Sequence, residues 1–396
     1  MVKILFVYMG GRRSRLLEAK AGHEAPMEFL FGFPYLQARG YEVDVLELTD
    51  LSPDRNSAAH VNLLRENVRL QQATGFTSTS QHFVDSLDIL NRYDGIIAGG
   101  DGLGLGISHF IRKGMVKPPM FMLTTGMLLH TQLQVRPSPL MARVRDIARS
   151  LYYRFVFGRY RKRRRVYRDL LEASSGTLYF ERSEYEMAQR MFPEYANRMR
   201  FSVSCIDTDF WRPNLALNRG SSRPDYILFI GNDRGRDFDL VQDIARHLPH
   251  LRFVFVTNRI RPEDVPPNVT IKQGDWKANR ISDVEIRRII QDSSVVVVPF
   301  KSGDLHSLTS VTLQAMACGK PVLVSKTSGL WEPEFIDRQH IWFIHSGNLS
   351  EWCEDIQTLM RDSLNRERIG MHARRLVEKQ NNLTVLGSNV EAIIKQ

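Results

Sequence analysis

The segment of residues 295–325 constrains the fold of this chain more than any other. It opens with four consecutive valines, Val295–Val298, a pattern typical of a strand buried on both faces of a parallel sheet. A polar loop follows, then a short apolar helix that Gly319 ends, and Pro321 starts a second apolar strand. This order places the N–H groups of a helix N-terminus at the loop, which favours an anion there. Pattern alone favours an ordinary βαβ crossover, because many such loops bind nothing.

The length and composition predict a folded protein with two buried cores. At 396 residues the chain is longer than one core usually supports, so we expect two domains. A hydrophobic content of 43% excludes global disorder. No apolar run approaches the ~20 residues that span a bilayer, and the opening VKILFVYMGG is typical of a first strand rather than a signal peptide. The widely spaced Cys205, Cys318 and Cys353 favour a reducing cytoplasm over disulfides or a zinc site.

Apolar strands and amphipathic helices alternate along both halves of the chain. The first half contains the predicted strands ILFVYM, EVDVLEL, GIIAGG and PMFMLTT, and the predicted helices EFLFGFPYLQARG and HFVDSLDILNRY. The second half restarts at YILFIGND and continues through VVVVPF, PVLVS and HIWFIH. This alternation predicts two doubly wound, mainly parallel sheets. We expect one domain over residues 1–210, a second over 211–381, and a last helix over 382–396 that packs back toward the first domain.

The positive charge of the chain is concentrated in one segment. The formal net charge is +10, and residues 136–168 hold twelve Lys or Arg residues against Asp146 alone. Leu, Tyr, Phe and Val are interleaved with these cations, as in a basic amphipathic helix on an anionic membrane. A solvated helix and a nucleic-acid-binding surface are the alternatives. Because no recognised nucleic-acid motif accompanies the segment, we expect an anionic membrane surface as its partner, and no nucleic acid.

The stretch LQAMACGKPVLVS resembles the signature segment of the retaining family 4 of GT-B glycosyltransferases, the glycosyl transferases group 1. The resemblance covers about residues 226–376 and implies an α/β GT-B fold, in which two doubly wound Rossmann-like domains face a central cleft. It also implies a nucleotide-diphosphate-sugar co-substrate, UDP- or GDP-linked, in the second domain, a glycan or glycolipid acceptor in the first, and no bound cofactor. The family carries glutamates where this chain has His306 and Gln314, so both signature carboxylates are replaced.

The pattern and the resemblance together define a candidate site at the ends of the strands, where doubly wound sheets bind ligands. The predicted catalytic residues are Asp101, His130, Arg236 and Lys301. The predicted donor-binding residues are Gly10, Gly11, Gly231, Arg234, Arg236, Asp304, His306, Thr309, Ser310, Val311 and Gln314. No metal ligand is predicted.

The residue types in the second domain suit a nucleotide diphosphate. Arg234 and Arg236 follow its first strand, and a guanidinium can hold two phosphate oxygens; we expect Arg236 to do so more than Arg234. A solvated surface cation is the alternative for both and for Lys301. The helix N-terminus at Ser310 offers N–H groups to a phosphate, and a side chain there can also serve only as a cap. The resemblance implies that Gln314 contacts the ribose.

The residues in the first domain carry weaker signals. Gly10 and Gly11 form the first strand–helix corner, where the backbone can approach a ligand closely. The run GGDGLGLG, residues 99–106, is a weak dinucleotide fingerprint, and we interpret it as a glycine-rich corner with Asp101 facing inward. His130 comes about five residues later than the histidine of the family. The letters DxD at residues 207–209 precede the crossover between domains, so we reject a metal site there.

The predicted function is sugar transfer from a nucleotide-diphosphate sugar to an acceptor hydroxyl, independent of metal and with retention of configuration. We expect a lipid-linked or cell-surface polysaccharide precursor as the acceptor, and a cytoplasmic enzyme peripheral to the inner face of the membrane. Three alternatives stay open. They are a nucleotide-sugar epimerase of the same fold, an inactive nucleotide-sugar-binding protein, and a nucleic-acid-binding protein.

Overall fold

The chain divides into two compact units. The computed structural model describes residues 1–129, 146–214, 225–274, 281–301, 310–327, 335–345 and 347–396, with the backbone alone for residues 146–157. The first unit consists of Met1–Ser14, Leu30–Ser202 and Gly387–Gln396, and the second consists of Arg15–Phe29 and Val203–Leu386.

The first unit is built on a sheet of six parallel strands in the order β2-β1-β3-β4-β5-β6. The chain order of its elements is β1 Lys3–Tyr8, α1 Arg13–Lys20, α2 Phe33–Ala38, β2 Glu42–Glu47, α3 Ala58–Thr74, α4 Leu87–Leu90, β3 Gly95–Ala98, α5 Asp101–Ile111, β4 Met120–Leu123, α6 Asp146–Ala173, β5 Ser174–Tyr179, α7 Arg182–Met191 and β6 Met199–Phe201. Helix α1 crosses into the second unit after Ser14.

The second unit repeats this architecture, with six parallel strands in the order β12-β11-β10-β7-β8-β9. Its elements are β7 Ile227–Ile230, α8 Phe238–His247, β8 Phe253–Val256, β9 Val269–Lys272, α9 Asp283–Asp292, β10 Val295–Val298, α10 Ser310–Ala317, β11 Val322–Lys326, β12 Trp342–His345, α11 Leu349–Arg361 and α12 Ser363–Gln380. The last helix, α13 Leu383–Ile394, begins in the second unit and belongs to the first from Gly387 onward. The four valines of β10 are fully buried, and the predicted α/β fold with two parallel sheets is confirmed.

The predicted helices of the first half differ locally from the structure. The segment EFLFGFPYLQARG forms a 3-10 turn at Glu28–Leu30, and helix α2 begins only at Phe33. Between them Phe31 and Gly32 have φ angles of 46° and 87°, which break the helix. The segment HFVDSLDILNRY contains the single turn α4 instead of one long amphipathic helix. Among the described residues, no helix is long and apolar enough to cross a membrane.

The segment Arg15–Phe29 belongs to the second unit, although its sequence neighbours on both sides belong to the first. Arg15 Nε lies 2.9 Å from an Asp283 carboxylate oxygen, and the indole N–H of Trp211 donates to Glu28 Oε1 at 2.9 Å. The sequence had placed this segment in a continuous domain over residues 1–210. Its partners lie about two hundred residues further along the chain, so no local pattern indicates them.

The glycine run at residues 99–106 allows helix α5 to pack closely against its neighbours. Helix α5 already begins at Asp101, so the later glycines lie inside a helix. A Cβ at Gly104 would lie 2.9 Å from Met122 Sδ, and one at Gly106 would lie 2.5 Å from Thr79 Oγ1. Both positions lack room for a side chain, because the sheet and the 77–80 loop approach the helix backbone.

This packing predicts opposite effects for two glycine-to-alanine changes. We expect Gly106→Ala to lower the free energy of unfolding by about 1–3 kcal/mol, because the added methyl has no space. Gly158 lies inside helix α6 with nothing near its missing side chain, so Gly158→Ala should stabilise the protein by up to about 1 kcal/mol. Urea unfolding of both variants measures the difference. Equal stabilities would contradict the packing role.

Candidate functional site

Three strands of the second sheet bring their carboxyl ends to one place. Strand β10 pairs with β7 on one side and β11 on the other. The corner after β7, residues 231–237, is bonded to the end of β10: Asp237 N donates to Pro299 O at 3.0 Å, and Lys301 N donates to Gly235 O at 2.9 Å. This pairing makes the predicted donor corner and Lys301 neighbours.

The same corner is also fixed from its other side. The Asn232 side-chain oxygen accepts hydrogen bonds from Thr257 Oγ1 at 3.0 Å and from Asn258 N at 2.6 Å, just beyond β8. Its side-chain nitrogen donates to Gly274 O at 3.2 Å, beyond β9. The corner is therefore held by the ends of three neighbouring strands, which gives a ligand site a rigid frame.

Arg236 lies inside this frame. Its side chain is 1% exposed, its Nε donates to Asp233 Oδ2 at 2.7 Å, and its guanidinium lies 4.8 Å from the ring centroid of Phe300. A Cβ at Gly231 would lie 2.9 Å from Arg236 Nε, so the glycine leaves room for the arginine. In this structure Arg236 and Gly231 shape the corner, and the predicted contact of Arg236 with phosphate stays a prediction.

Of the predicted residues, Arg234 and Lys301 are exposed cations at this edge, and the exposed Arg259 joins them, with its Nε donating to Asn232 O at 3.0 Å. Helix α10 begins at Ser310, which is exposed, while Val311 is half-buried and Gln314 is 6% exposed. Asp304, His306 and Thr309 lie outside the described residues, as does His130. Exposure therefore favours Arg234 over Arg236 as a contact for an incoming anion, the reverse of the order predicted from the sequence.

In the first unit, the corner at Gly10 and Gly11 already holds a carboxylate. Glu47 Oε1 accepts hydrogen bonds from Arg12 N at 2.5 Å and from Arg13 N at 2.8 Å. These N–H groups belong to the start of helix α1, where an anion is favoured. Gly11 has a φ of 74°, which a side chain would strain. The predicted approach of Gly10 and Gly11 to a ligand stays a prediction.

Two buried carboxyl groups hold the backbone that follows β4. Asp101 Oδ2 accepts hydrogen bonds from Thr125 N at 2.9 Å, Thr125 Oγ1 at 2.6 Å and Met127 N at 3.2 Å. Glu184 Oε1 accepts from Leu128 N at 2.7 Å. Asp101 is 8% exposed and Glu184 is 0% exposed. These contacts position residues 125–128, and the predicted catalytic role of Asp101 stays a prediction.

The two carboxyl groups share their environment. Burial raises the pKa of Glu184 to about 8, and the Asp101 carboxylate adds to the rise. Burial also raises the pKa of Asp101, against the opposing effect of its hydrogen bonds from Thr125 and Met127. Since Asp101 has three donors on one oxygen, we infer that it keeps the charge and that Glu184 is protonated at neutral pH. The sequence does not single out Glu184.

The DxD letters at residues 207–209 form a turn. Asp207 Oδ1 accepts hydrogen bonds from Asp209 N at 3.1 Å and Phe210 N at 3.0 Å, and Asp207 Oδ2 accepts from Met27 N at 3.0 Å. Both oxygens of Asp207 therefore satisfy backbone donors. Within the described parts of the chain, no group of three or more His, Cys, Asp or Glu residues is arranged to hold a metal ion.

Comparison with known proteins identifies the class of this site. Residues 225–362 match the family described as Glycosyl transferases group 1. The matched part of the chain contains the β7 corner, Lys301 and helix α10. The resemblance to the glycosyl transferases group 1 that the sequence predicts is confirmed over these residues.

Individual relatives agree with this assignment. The chain is 23% identical over 194 residues to the sulfoquinovosyl transferase SQD2 of Arabidopsis thaliana, an alignment that covers 46% of this chain and 37% of the relative. Sucrose-phosphate synthase from Thermosynechococcus elongatus superposes with a TM-score of 0.65 at 15% identity, covering 100% of this chain and 99% of the other. Anabaena HepE in complex with UDP-glucose superposes with a TM-score of 0.59 at 12% identity, covering both chains fully. These structural likenesses confirm the predicted GT-B fold.

The raised pKa of Glu184 predicts how stability depends on pH. The pKa of Glu184 is about 8 in the folded protein, against an ordinary value of 4.5 that applies to the unfolded chain. The folded state therefore binds more protons between these two pH values. The contribution of Glu184 to stability is fully present below about pH 4.5 and is lost as pH rises toward 8. We expect Glu184→Gln, which keeps an oxygen for Leu128 N, to remove part of this decline, on the order of 1 kcal/mol or more.

Urea unfolding between pH 5 and pH 8.5 measures the effect. Glu186, an exposed carboxylate on the same helix α7, provides the matched control, and Glu186→Gln should follow the parent curve. Burial also raises the pKa of Glu28 to about 7, so the relevant quantity is the difference between variant and parent. Parallel curves for the parent and Glu184→Gln would contradict the assignment.

Proposed function

We propose that this protein transfers a sugar from a nucleotide-diphosphate donor to an acceptor hydroxyl. The observation that carries the proposal is the convergence of the β7 corner, the end of β10 and the exposed cation Lys301 at one edge of a group 1 glycosyltransferase domain. The group 1 match, the relative named a sulfoquinovosyl transferase and the HepE complex with UDP-glucose support a nucleotide sugar as the donor. UDP is therefore the first nucleotide to test, before GDP.

The proposed chemistry is electrostatic. As the bond between sugar and diphosphate breaks, negative charge grows on the departing phosphate. Arg234, Lys301 and the N–H groups at Ser310 supply positive charge from fixed positions, and a site organised in advance stabilises that charge without reorganisation. Arg236 keeps the corner in place through Asp233 and Phe300. Side chains and backbone thus do the work for which other transferases use a metal ion.

The proposal extends to the donor ribose contact and the stereochemistry. Gln314 stands where the family places a glutamate, and its amide oxygen accepts a hydrogen bond from a ribose hydroxyl. We propose retention of configuration, with the leaving phosphate helping to deprotonate the acceptor hydroxyl. His306 or Asp304 contacts the sugar in this proposal.

The donor assignment predicts selective stabilisation by one nucleotide. A panel of UDP, GDP, ADP and their sugars should raise the melting temperature for one base, because binding to the folded state stabilises it. We expect Arg234→Ala to weaken that affinity about tenfold, since a hydrogen bond to a charged group contributes ~1.5–3 kcal/mol. Calorimetric titration measures the dissociation constant.

A control variant distinguishes the loss of a site contact from the loss of one positive charge anywhere on the protein. Arg246 is a half-exposed arginine in the last turn of α8, which runs away from the candidate edge, and Arg246→Ala should leave the affinity unchanged. If no nucleotide raised the melting temperature, or if Arg234→Ala and Arg246→Ala bound the nucleotide with equal affinity, the proposal would be wrong. Product analysis of the bound nucleotide sugar without an acceptor then distinguishes an epimerase from a transferase.

We propose further that the acceptor is a lipid-linked or cell-surface polysaccharide precursor, met by a cytoplasmic enzyme at the inner face of the membrane. Helix α6 supports this, because one of its faces is strongly cationic. Arg163 turns inward, with its Nε donating to Thr74 O at 2.5 Å. The exposed cations beside it are Arg161, Lys162, Arg164 and Arg165.

The membrane proposal predicts binding to anionic vesicles. Replacing Arg161, Lys162, Arg164 and Arg165 by glutamine should weaken binding to phosphatidylserine vesicles by up to about 4 kcal/mol, at ~1 kcal/mol for each cation. The matched control replaces four exposed cations of helices α11 and α12, which are Arg361, Arg368, Arg375 and Lys379. Vesicle sedimentation measures both. Equal binding of the two quadruple variants would refute the role of α6.

A further inference from the structure

Three aromatic rings form a row at the carboxyl edge of the first sheet. Tyr8 ends β1, and Phe180 directly follows β5. The Phe31 ring lies between them, with its centroid 6.3 Å from that of Tyr8 and 5.8 Å from that of Phe180, in a stacked arrangement at 26°. A Cβ at Gly99, just beyond β3, would lie 2.7 Å from the Tyr8 ring. Strands β3 and β4 separate β1 from β5 in the sheet, so the aromatic row lies across their ends, on the edge where such sheets bind ligands.

The backbone of Phe31 is held in an unfavourable conformation to place this ring. Its φ of 46° is rare for a bulky residue and strains the backbone. The surroundings fix it: the buried hydroxyl of Tyr8 donates to Leu30 O at 2.7 Å. A Cβ at Gly32 would lie 3.2 Å from the backbone of Gly387. Such strain persists where the position of a side chain matters, and ligand sites are where it concentrates.

The row is neither fully buried nor strongly charged. Tyr8 is buried, whereas Phe31 and Phe180 are both partly exposed. The Arg12 guanidinium lies 5.7 Å from the Phe31 ring centroid. The Glu47 carboxylate, which accepts a hydrogen bond from Arg12 N, partly offsets its charge. The exposed part of the row therefore combines apolar ring surface with a hydrogen-bond donor and little net charge.

This combination fits a neutral sugar ring. One side of a pyranose presents C–H groups that pack on an aromatic face, and its rim presents hydroxyls that accept hydrogen bonds from an arginine. A phosphate would need excess positive charge, and a lipid tail would gain nothing from Arg12. The proposed function assigns the donor to the second unit and the acceptor to the first. Since the aromatic row lies in the first unit, we expect the acceptor to bind there.

We propose that Phe31 and Phe180, with Arg12 beside them, form a subsite that stacks a pyranose ring of the acceptor. The inference rests on the proposed transferase function and narrows it: the acceptor is a molecule that already carries a sugar. Phe31 and Phe180 bind the ring by contact. Tyr8 and Gly32 are positioning residues that hold Phe31 in place.

Saturation-transfer NMR on the full chain tests the subsite. The probes are methyl α- and β-glucopyranoside, methyl α-mannopyranoside, methyl β-galactopyranoside and octyl β-glucopyranoside. We expect at least one methyl glycoside to receive saturation on the C–H protons of one ring face. Phe31→Ala and Phe180→Ala should weaken its binding about fivefold or more, the range of a lost aromatic contact. Tyr195, a partly buried aromatic of the same unit, provides the control, and Tyr195→Leu should bind like the parent.

A second variant excludes loss of folding as the cause. Phe31→Gly removes the ring but accepts the positive φ, so it should melt no lower than Phe31→Ala while losing the glycoside equally. Nucleotide stabilisation should persist in every variant, which separates this inference from the donor assignment. Unchanged glycoside binding in Phe31→Gly and Phe180→Ala would overturn the subsite. Saturation confined to the octyl chain, or absent from all glycosides while a nucleotide still stabilises the chain, would do so as well.

Discussion

The position of β10 between β7 and β11 is the constraint on which the candidate donor site depends. Parallel strands all end at the same edge, and each needs a crossover connection, usually a helix, before the next strand begins. The backbone N–H of Phe300 donates to Ser325 Oγ at 2.8 Å, so the ends of β10 and β11 are joined just as those of β7 and β10 are. The loops after β7, β10 and β11 are far apart in the sequence, and they therefore meet at this edge of the sheet. Helix α10 is the next helix in the chain after β10.

Charged residues near these edges divide into two groups. Arg236, Asp101 and Glu184 are buried, and their contacts fix backbone segments or a strand end. Arg234 and Lys301 are exposed and remain available to a ligand. A buried charge is retained only with partners, so its contacts reveal a positioning role that residue type alone does not. A ligand site benefits from both groups, because contact residues need a rigid support.

Regular elements were predictable where a local pattern sufficed. The valines of β10 and the apolar runs of β1, β7 and β11 mark buried strands directly, and the signature segment predicted the family that residues 225–362 match. The prediction failed at irregular places. Phe31 lay inside a predicted helix, although the Gly32 and Pro34 that follow it were a signal that the helix breaks there. Gly102, Gly104 and Gly106 resemble a dinucleotide fingerprint in the sequence, because glycine is needed both for close packing and for the close approach of a ligand.

The sequence by itself determined two parallel sheets, a group 1 glycosyltransferase domain and a concentration of positive charge, because periodicity, signature letters and charge are properties of neighbouring residues. Only the tertiary structure decided that Arg236 turns inward over Phe300, that Glu184 joins Asp101, and that Arg15–Phe29 belongs to the second unit. Burial and partnership depend on residues brought together from distant parts of the chain. These contacts are therefore determined by the order of the strands in the sheet and not by the local sequence.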